Sequence, residues 1–192
     1  TGYVIANPYV LAWDYGLNPS EVFPIDLPSG NLGTAGSCTD IAGGRWMQDS
    51  VGWWYQCANG RDYLSGGWFT INGRDYQFGP AGYMSTGFVK RDNVGWMYMD
   101  SEGTPVSGWV LDSVYGGPYW YYLDPETKVM RTGWLADGGS WYCLTGSGAM
   151  AVGWVNDSGT WYYLSPSGAM LTGMHVINGR TYVFDDSGAW VR

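Results

Sequence analysis

The chain has 192 residues, with 13 Trp, 16 Tyr and 31 Gly, and 9 basic against 17 acidic side chains give it a formal charge of −8. That balance excludes a binder that tracks phosphates, and electrostatic docking on anionic lipid, both of which need clustered Lys and Arg. Leu, Ile, Val and Phe make up under a fifth of the chain, so the core has to be built from aromatic rings, and Gly at more than twice its ordinary ~7% predicts short strands and tight turns instead of helices.

Residues 1–43 come first and stand apart. They hold four of the nine prolines, no Lys or Arg, and a single tryptophan, Trp13. The run Tyr9-Val10-Leu11-Ala12-Trp13 favours packing, so 1–43 is expected to be a non-repeat cap on the rest of the chain, with a linker as the other reading. A chain opening on Thr1-Gly2, with no Met and no signal peptide, is expected to be either a processed product or a trimmed piece of a longer chain. The three cysteines, Cys38, Cys57 and Cys143, allow one disulfide with one thiol left over. Cys38 and Cys57 are the nearest pair. His175 is the only histidine and no CxxC occurs, so a Cys/His zinc site has too few ligands and no metal is expected.

From residue 44 a Gly-Trp-like step recurs, its second residue falling at Trp46, Trp68, Phe88, Trp109, Trp134, Trp154 and Met174. Seven copies every 20–25 residues identify a repeat architecture. The clearest unit is Gly153-Trp154-Val155-Asn156-Asp157-Ser158-Gly159-Thr160-Trp161-Tyr162-Tyr163-Leu164, followed by Gly168-Ala169-Met170-Leu171-Thr172-Gly173. A short strand carries the Trp, an Asn/Asp/Ser/Gly turn reverses the chain, and a second aromatic strand completes a hairpin. One hairpin is marginal in water, but stacked hairpins bury a shared aromatic stripe. The predicted fold is therefore all-β: a solenoid of about seven stacked β-hairpins over 44–192, almost without helix. The 109–133 copy is longer, and Tyr115-Gly116-Gly117-Pro118 should extend its first turn.

Side chains alternate along a strand, which separates Trp161 and Tyr163 from Tyr162 and Leu164. The degenerate copies Gly73-Arg74-Asp75-Tyr76-Gln77-Phe78 and Gly179-Arg180-Thr181-Tyr182-Val183-Phe184 keep only the middle Tyr and the last aromatic. The Tyr162/Leu164 type is thus expected to be core, and the Trp161/Tyr163 type the ligand face.

The unit resembles the choline-binding, or cell-wall-binding, repeat of Gram-positive surface proteins: Gly-Trp, a turn, Gly-x-Trp-Tyr-Tyr-Leu/Phe, then Gly-x-Met-x-Thr-Gly. The resemblance is closest over 133–173. It implies a secreted, non-catalytic module that attaches to the bacterial cell wall by choline on teichoic acid, without a cofactor. Two other readings stay open: a repeat module for saccharide (glucan or peptidoglycan), and a structural or adhesive stalk with decayed sites. The resemblance also implies sites between consecutive hairpins, in which aromatic faces and a Met hold a quaternary ammonium that has no N–H to donate. Carried onto this chain, the intact cage is expected at Trp134, Trp141 and Tyr163 with Met150 as floor. Weaker partial sites are expected at Trp109, Trp120 and Met130, where Cys143 takes the third wall, and at Trp154, Trp161 and Met170, where Val183 does. On the same rule Trp46 and Trp54 meet Gln77, and Trp68 has Asp75 where a second Trp belongs. No paired catalytic carboxylates, metal cluster or phosphate loop accompanies the repeats.

Overall fold

The computed structural model describes residue 38 and residues 40–113 and 117–191. The cap or linker expected over 1–43 therefore lies outside the described residues, apart from Cys38 and 40–43, and so do Tyr115 and Gly116. The described residues contain no helix and fourteen strands: β1 (Arg45–Gln48), β2 (Trp53–Gln56), β3 (Gly67–Ile71), β4 (Arg74–Phe78), β5 (Gly87–Arg91), β6 (Gly95–Met99), β7 (Gly108–Asp112), β8 (Tyr119–Leu123), β9 (Gly133–Asp137), β10 (Ser140–Leu144), β11 (Gly153–Asp157), β12 (Thr160–Leu164), β13 (Gly173–Ile177) and β14 (Arg180–Phe184). Each consecutive pair forms its own two-stranded antiparallel sheet, giving seven hairpins, here numbered 1 to 7. Hairpins 1–3 fall in one compact unit and hairpins 4–7 in another.

The turns explain the hairpins. Asn72-Gly73, Gly138-Gly139, Ser158-Gly159 and Asn178-Gly179 join their strands with positive φ at both residues, the two-residue turn whose twist matches that of the strands it links. The connection between β7 and β8 is the long one, as the extra residues predict. Each second strand from β4 onward ends on a side chain sealed from solvent: Phe78, Met99, Leu123, Leu144, Leu164 and Phe184 are at most 2% exposed.

The segment after each of these hairpins folds back onto it. Single bridges pair Phe78 with Met84, Met99 with Pro105, Leu123 with Met130, Leu144 with Met150, Leu164 with Met170, and Phe184 with Trp190. In four places the same segment also ties its hairpin to the previous one. The backbone N–H of Met84 donates to the Trp53 carbonyl, Met150 to Trp120, Met170 to Trp141 and Trp190 to Trp161, all at 2.7–2.8 Å. The turn that precedes these residues carries a glycine for a steric reason. At Gly148, Gly168 and Gly188, φ is +82 to +83°, and a Cβ would fall inside the sulfur of Met130, Met150 and Met170 respectively. At the N-terminal end, Cys38 and Cys57 form a disulfide, and Cys143 is free and half-buried.

Candidate ligand clefts between hairpins

Cross-strand register fixes which side chains share a face. Trp134 pairs with Cys143 and Ala136 with Trp141; Trp154 pairs with Tyr163 and Asn156 with Trp161. Trp154, Trp161 and Tyr163 therefore lie on one face of hairpin 6, and Tyr162 and Leu164 on the other. Trp134 of hairpin 5 packs on Tyr162 (ring centroids 4.8 Å apart), whereas Trp154 of hairpin 6 packs on Tyr182 of hairpin 7 (5.0 Å). The tryptophan face of one hairpin thus meets the Tyr/Leu face of the next.

This geometry builds an open cleft of about 420 Å³ lined by Trp134 and Trp141 of hairpin 5, Tyr162 and Met170 of hairpin 6, Asp157, and Asp186 with Ser187 beyond hairpin 7. The Trp134 indole N–H donates to Asp157 Oδ2 at 2.8 Å, which fixes the ring while leaving its face open. Trp141 is 50% exposed, an unusual position for the largest apolar side chain. Of the expected cage, Trp134 and Trp141 come together as foreseen. Tyr163 and Met150 do not join them. Tyr163 sits on the opposite face of hairpin 6, against Trp154 at 5.1 Å. The Met150 amide reaches back to Trp120, so its side chain belongs one junction earlier.

The same displacement reorders the other sites. Around Trp109 and Trp120, the third wall is Tyr142, not Cys143: Trp109 and Tyr142 rings are 4.9 Å apart. Met150 packs in that cluster, while Met130 lies under Gly148 and does not serve it. The Trp109 N–H donates to Asp137 Oδ2 at 2.9 Å, repeating the Trp134–Asp157 pair one hairpin earlier. Around Trp154 and Trp161, Tyr182 supplies the wall assigned to Val183, and Trp190 replaces Met170, its ring 5.8 Å from that of Trp154. In hairpin 1, Gln48 pairs with Trp53, so Trp53, and not Trp54, matches Trp141. A cleft of about 300 Å³ joins Trp46, Trp53, Tyr76, Met84, Ser101 and Glu102, with Trp46 and Tyr76 4.9 Å apart; Gln77 lies on the other face of its strand. At Trp68 the second wall is Asp75, as expected.

Sequence reasoning thus missed the middle tyrosines Tyr76, Tyr142, Tyr162 and Tyr182. The signal is in the sequence, since Tyr76 and Tyr182 persist in degenerate copies, but strand alternation alone divides core from cleft and hides a residue that serves as both. A half-buried tyrosine does both. It also missed Asp137 and Asp157 as anchors of an indole N–H. Burial pushes the Cys143 thiol up, with Asp157 adding to the shift. Among the described residues no group of three His, Cys, Asp or Glu is placed to hold a metal ion.

Such a set of rings, thioether and flanking carboxylates can hold an organic cation by cation–π and dispersion contacts. Residues 132–150 and 152–170 match the family model described as "Putative cell wall binding repeat". CbpJ from Streptococcus pneumoniae TIGR4 aligns over 76% of this chain and 51% of its own, at 38% identity and a TM-score of 0.59. Choline binding protein F from Streptococcus pneumoniae, crystallised in the presence of a peptidoglycan analogue, aligns over the same shares at 33% identity and a TM-score of 0.59. A Streptococcus pneumoniae serotype 4 protein described as "Putative endo-beta-N-acetylglucosaminidase" is 29% identical over 100 residues, 50% of this chain and 14% of its own length. This chain therefore spans about half of those two structures and a far smaller part of that relative. Hairpin register, repeat spacing and these matches agree: residues 132–150 and 152–170 are repeats of the cell-wall-binding type, and about three quarters of the chain is similar in sequence and fold to choline-binding proteins.

Proposed function

We propose that this chain is a non-catalytic module that attaches its protein to the bacterial cell surface by holding choline of wall teichoic acid between successive hairpins. The observation that carries the reading is the Trp134/Trp141/Tyr162/Met170 cleft. Its walls are apolar and aromatic, and Asp157 and Asp186 stand at its edge. A quaternary ammonium offers no N–H, so hydrogen-bonding groups cannot select it; ring faces attract it, each contributing about 0.5–2 kcal/mol according to desolvation. A neutral sugar would gain stacking in the same cleft but no charge attraction from the carboxylates. A second cleft repeats the arrangement at Trp46/Trp53/Tyr76/Met84, and equivalent side chains gather around Trp109/Trp120/Tyr142/Met150 and Trp154/Trp161/Tyr182/Trp190.

The test is a choline titration followed by tryptophan fluorescence and melting temperature, run beside dextran and soluble peptidoglycan fragments. Choline at 100 times its Kd should stabilise by about 2.7 kcal/mol per cleft. A response to dextran or peptidoglycan fragments with none to choline would replace this reading with the saccharide one, and release of fragments from purified cell walls would overturn its non-catalytic part.

A further inference from the structure

Trp68 of hairpin 2 stands where Trp134 stands in hairpin 5, yet its surroundings are exchanged position by position. Asp75, paired with Thr70, takes the place of Trp141. Met97 takes the place of Tyr162 and belongs to the buried cluster on which Trp68 packs. Pro105, bridged to Met99, takes the place of Met170. Arg91, at the end of β5, occupies the position of Asp157 at the end of β11. The guanidinium carbon of Arg91 lies 4.8 Å from the Trp68 ring centroid, and its Nη2 is 3.2 Å from Asp75 Oδ2. The Thr70 hydroxyl donates to the other Asp75 oxygen at 2.6 Å.

Charge has changed at two positions together: Asp75 adds a carboxylate where the Trp134 cleft has a neutral Trp, and Arg91 puts a cation where that cleft has a carboxylate. In the Trp134 cleft a carboxylate grips the indole edge and the ring face is left free. At Trp68 a guanidinium covers the face, and a carboxylate holds the guanidinium. Space is not what closes this junction, since the cleft alongside measures about 570 Å³. We infer that the junction between hairpins 2 and 3 is occupied by the chain's own cation: Arg91, tethered by Asp75, takes the place on Trp68 that choline takes elsewhere, so this junction is a permanent clasp and not a binding site. A free quaternary ammonium entering here would have to displace Arg91 and leave Asp75 without its partner, while forming the same kind of contact it interrupts.

This inference rests on the choline reading of the other clefts, and the experiment separates the two. The intact protein is crystallised at saturating choline, and in solution the Arg91 side-chain NMR signals, displaced by the Trp68 ring current, are followed through the titration. Choline density in the Trp134 cleft, none over Trp68 and Arg91 signals unchanged is the expected result. Density in both places, or loss of the Arg91 displacement as choline is added, overturns the clasp alone. No density in any cleft overturns the choline reading and the clasp with it. A regraft then tests cause: D75W/M97Y/R91D should bind one choline more than the parent, and D75W/M97Y, which keeps Arg91, should bind the parental number. An equal gain by both variants overturns the role of Arg91.

Discussion

Trp141 and Tyr162 face the same cleft, but their substitutions should behave differently. Trp141 is half exposed, so Trp141→Ala should leave the melting temperature nearly unchanged and weaken choline in that cleft by about 2- to 30-fold, the equivalent of one lost cation–π face of 0.5–2 kcal/mol. Tyr162→Ala removes a wall and also the ring on which Trp134 packs; it should lower both affinity and melting temperature, by about 3 kcal/mol in stability if the ring behaves as a core aromatic. Asp157→Asn keeps the shape and can still accept the Trp134 N–H, yet removes a negative charge at the rim. It should weaken choline while leaving a neutral isostere such as 3,3-dimethylbutanol unaffected, and isothermal calorimetry with both ligands reads the difference.

The trailing turn of each repeat is the element on which cleft shape depends. Gly168 and Gly173 both have φ near +80°, but only at Gly168 does a Cβ run into Met150. Gly173→Ala should therefore cost only the backbone strain, about 1–2 kcal/mol. Gly168→Ala should cost a further 1–3 kcal/mol or so, from overpacking, and should selectively weaken the Trp109/Trp120 cleft that Met150 floors. Denaturant unfolding and choline binding to both variants check this. The hairpins themselves were legible in the sequence, because Asn-Gly and Ser-Gly turns, period-two aromatics and fixed Gly-Trp spacing are local signals. The face alternation of Trp161 and Tyr162 was equally legible. What could not be read locally was the stacking order. A hairpin has two neighbours and shows a different face to each, so assigning Tyr163 to Trp134 required knowing which face turns which way. That is a relation between repeats separated by some twenty residues, and nothing in Trp-Tyr-Tyr encodes it. Trp53 is not distinguishable from Trp54 in the sequence for a related reason: two adjacent tryptophans are equally good residues for a strand, and only the pairing with Gln48 decides between them.

At the scale of the whole molecule, acid and reductant should both act on the unit of hairpins 1–3. The Asp75 carboxyl is held below its ordinary value chiefly by the Thr70 hydroxyl, working against burial and with help from Arg91. Burial pushes Asp49 up, but the Val51 and Gly52 amides and the Tyr83 hydroxyl outweigh it and bring it down on balance. A carboxyl with a depressed pKa in the folded state contributes stability above its unfolded value, and loses it as pH falls through the folded one. Stability of this unit should hold above about pH 5 and fall below the ordinary value of 3.8, with Asp75→Asn less acid-sensitive, as read by circular dichroism across the pH series. Reducing Cys38–Cys57, which are 19 positions apart, should cost about 3 kcal/mol in the same unit and leave the clefts of hairpins 4–7 binding choline as before.

The Trp134/Trp141 and Trp46/Trp53 clefts borrow from their neighbours: two tryptophans from one hairpin, a tyrosine and a methionine from the next, and a rim from the turn after a third. The number of ligand grips is therefore counted like the gaps in a fence, not like its posts. Removing 173–191 would take away one hairpin but damage two grips, since Tyr182 and Trp190 wall the Trp154/Trp161 cleft and Asp186 with Ser187 edge the Trp134/Trp141 cleft. On a polymer that displays many cholines, hold multiplies with each grip, so shortening the array by one repeat should weaken attachment to walls far more steeply than it weakens binding of free choline.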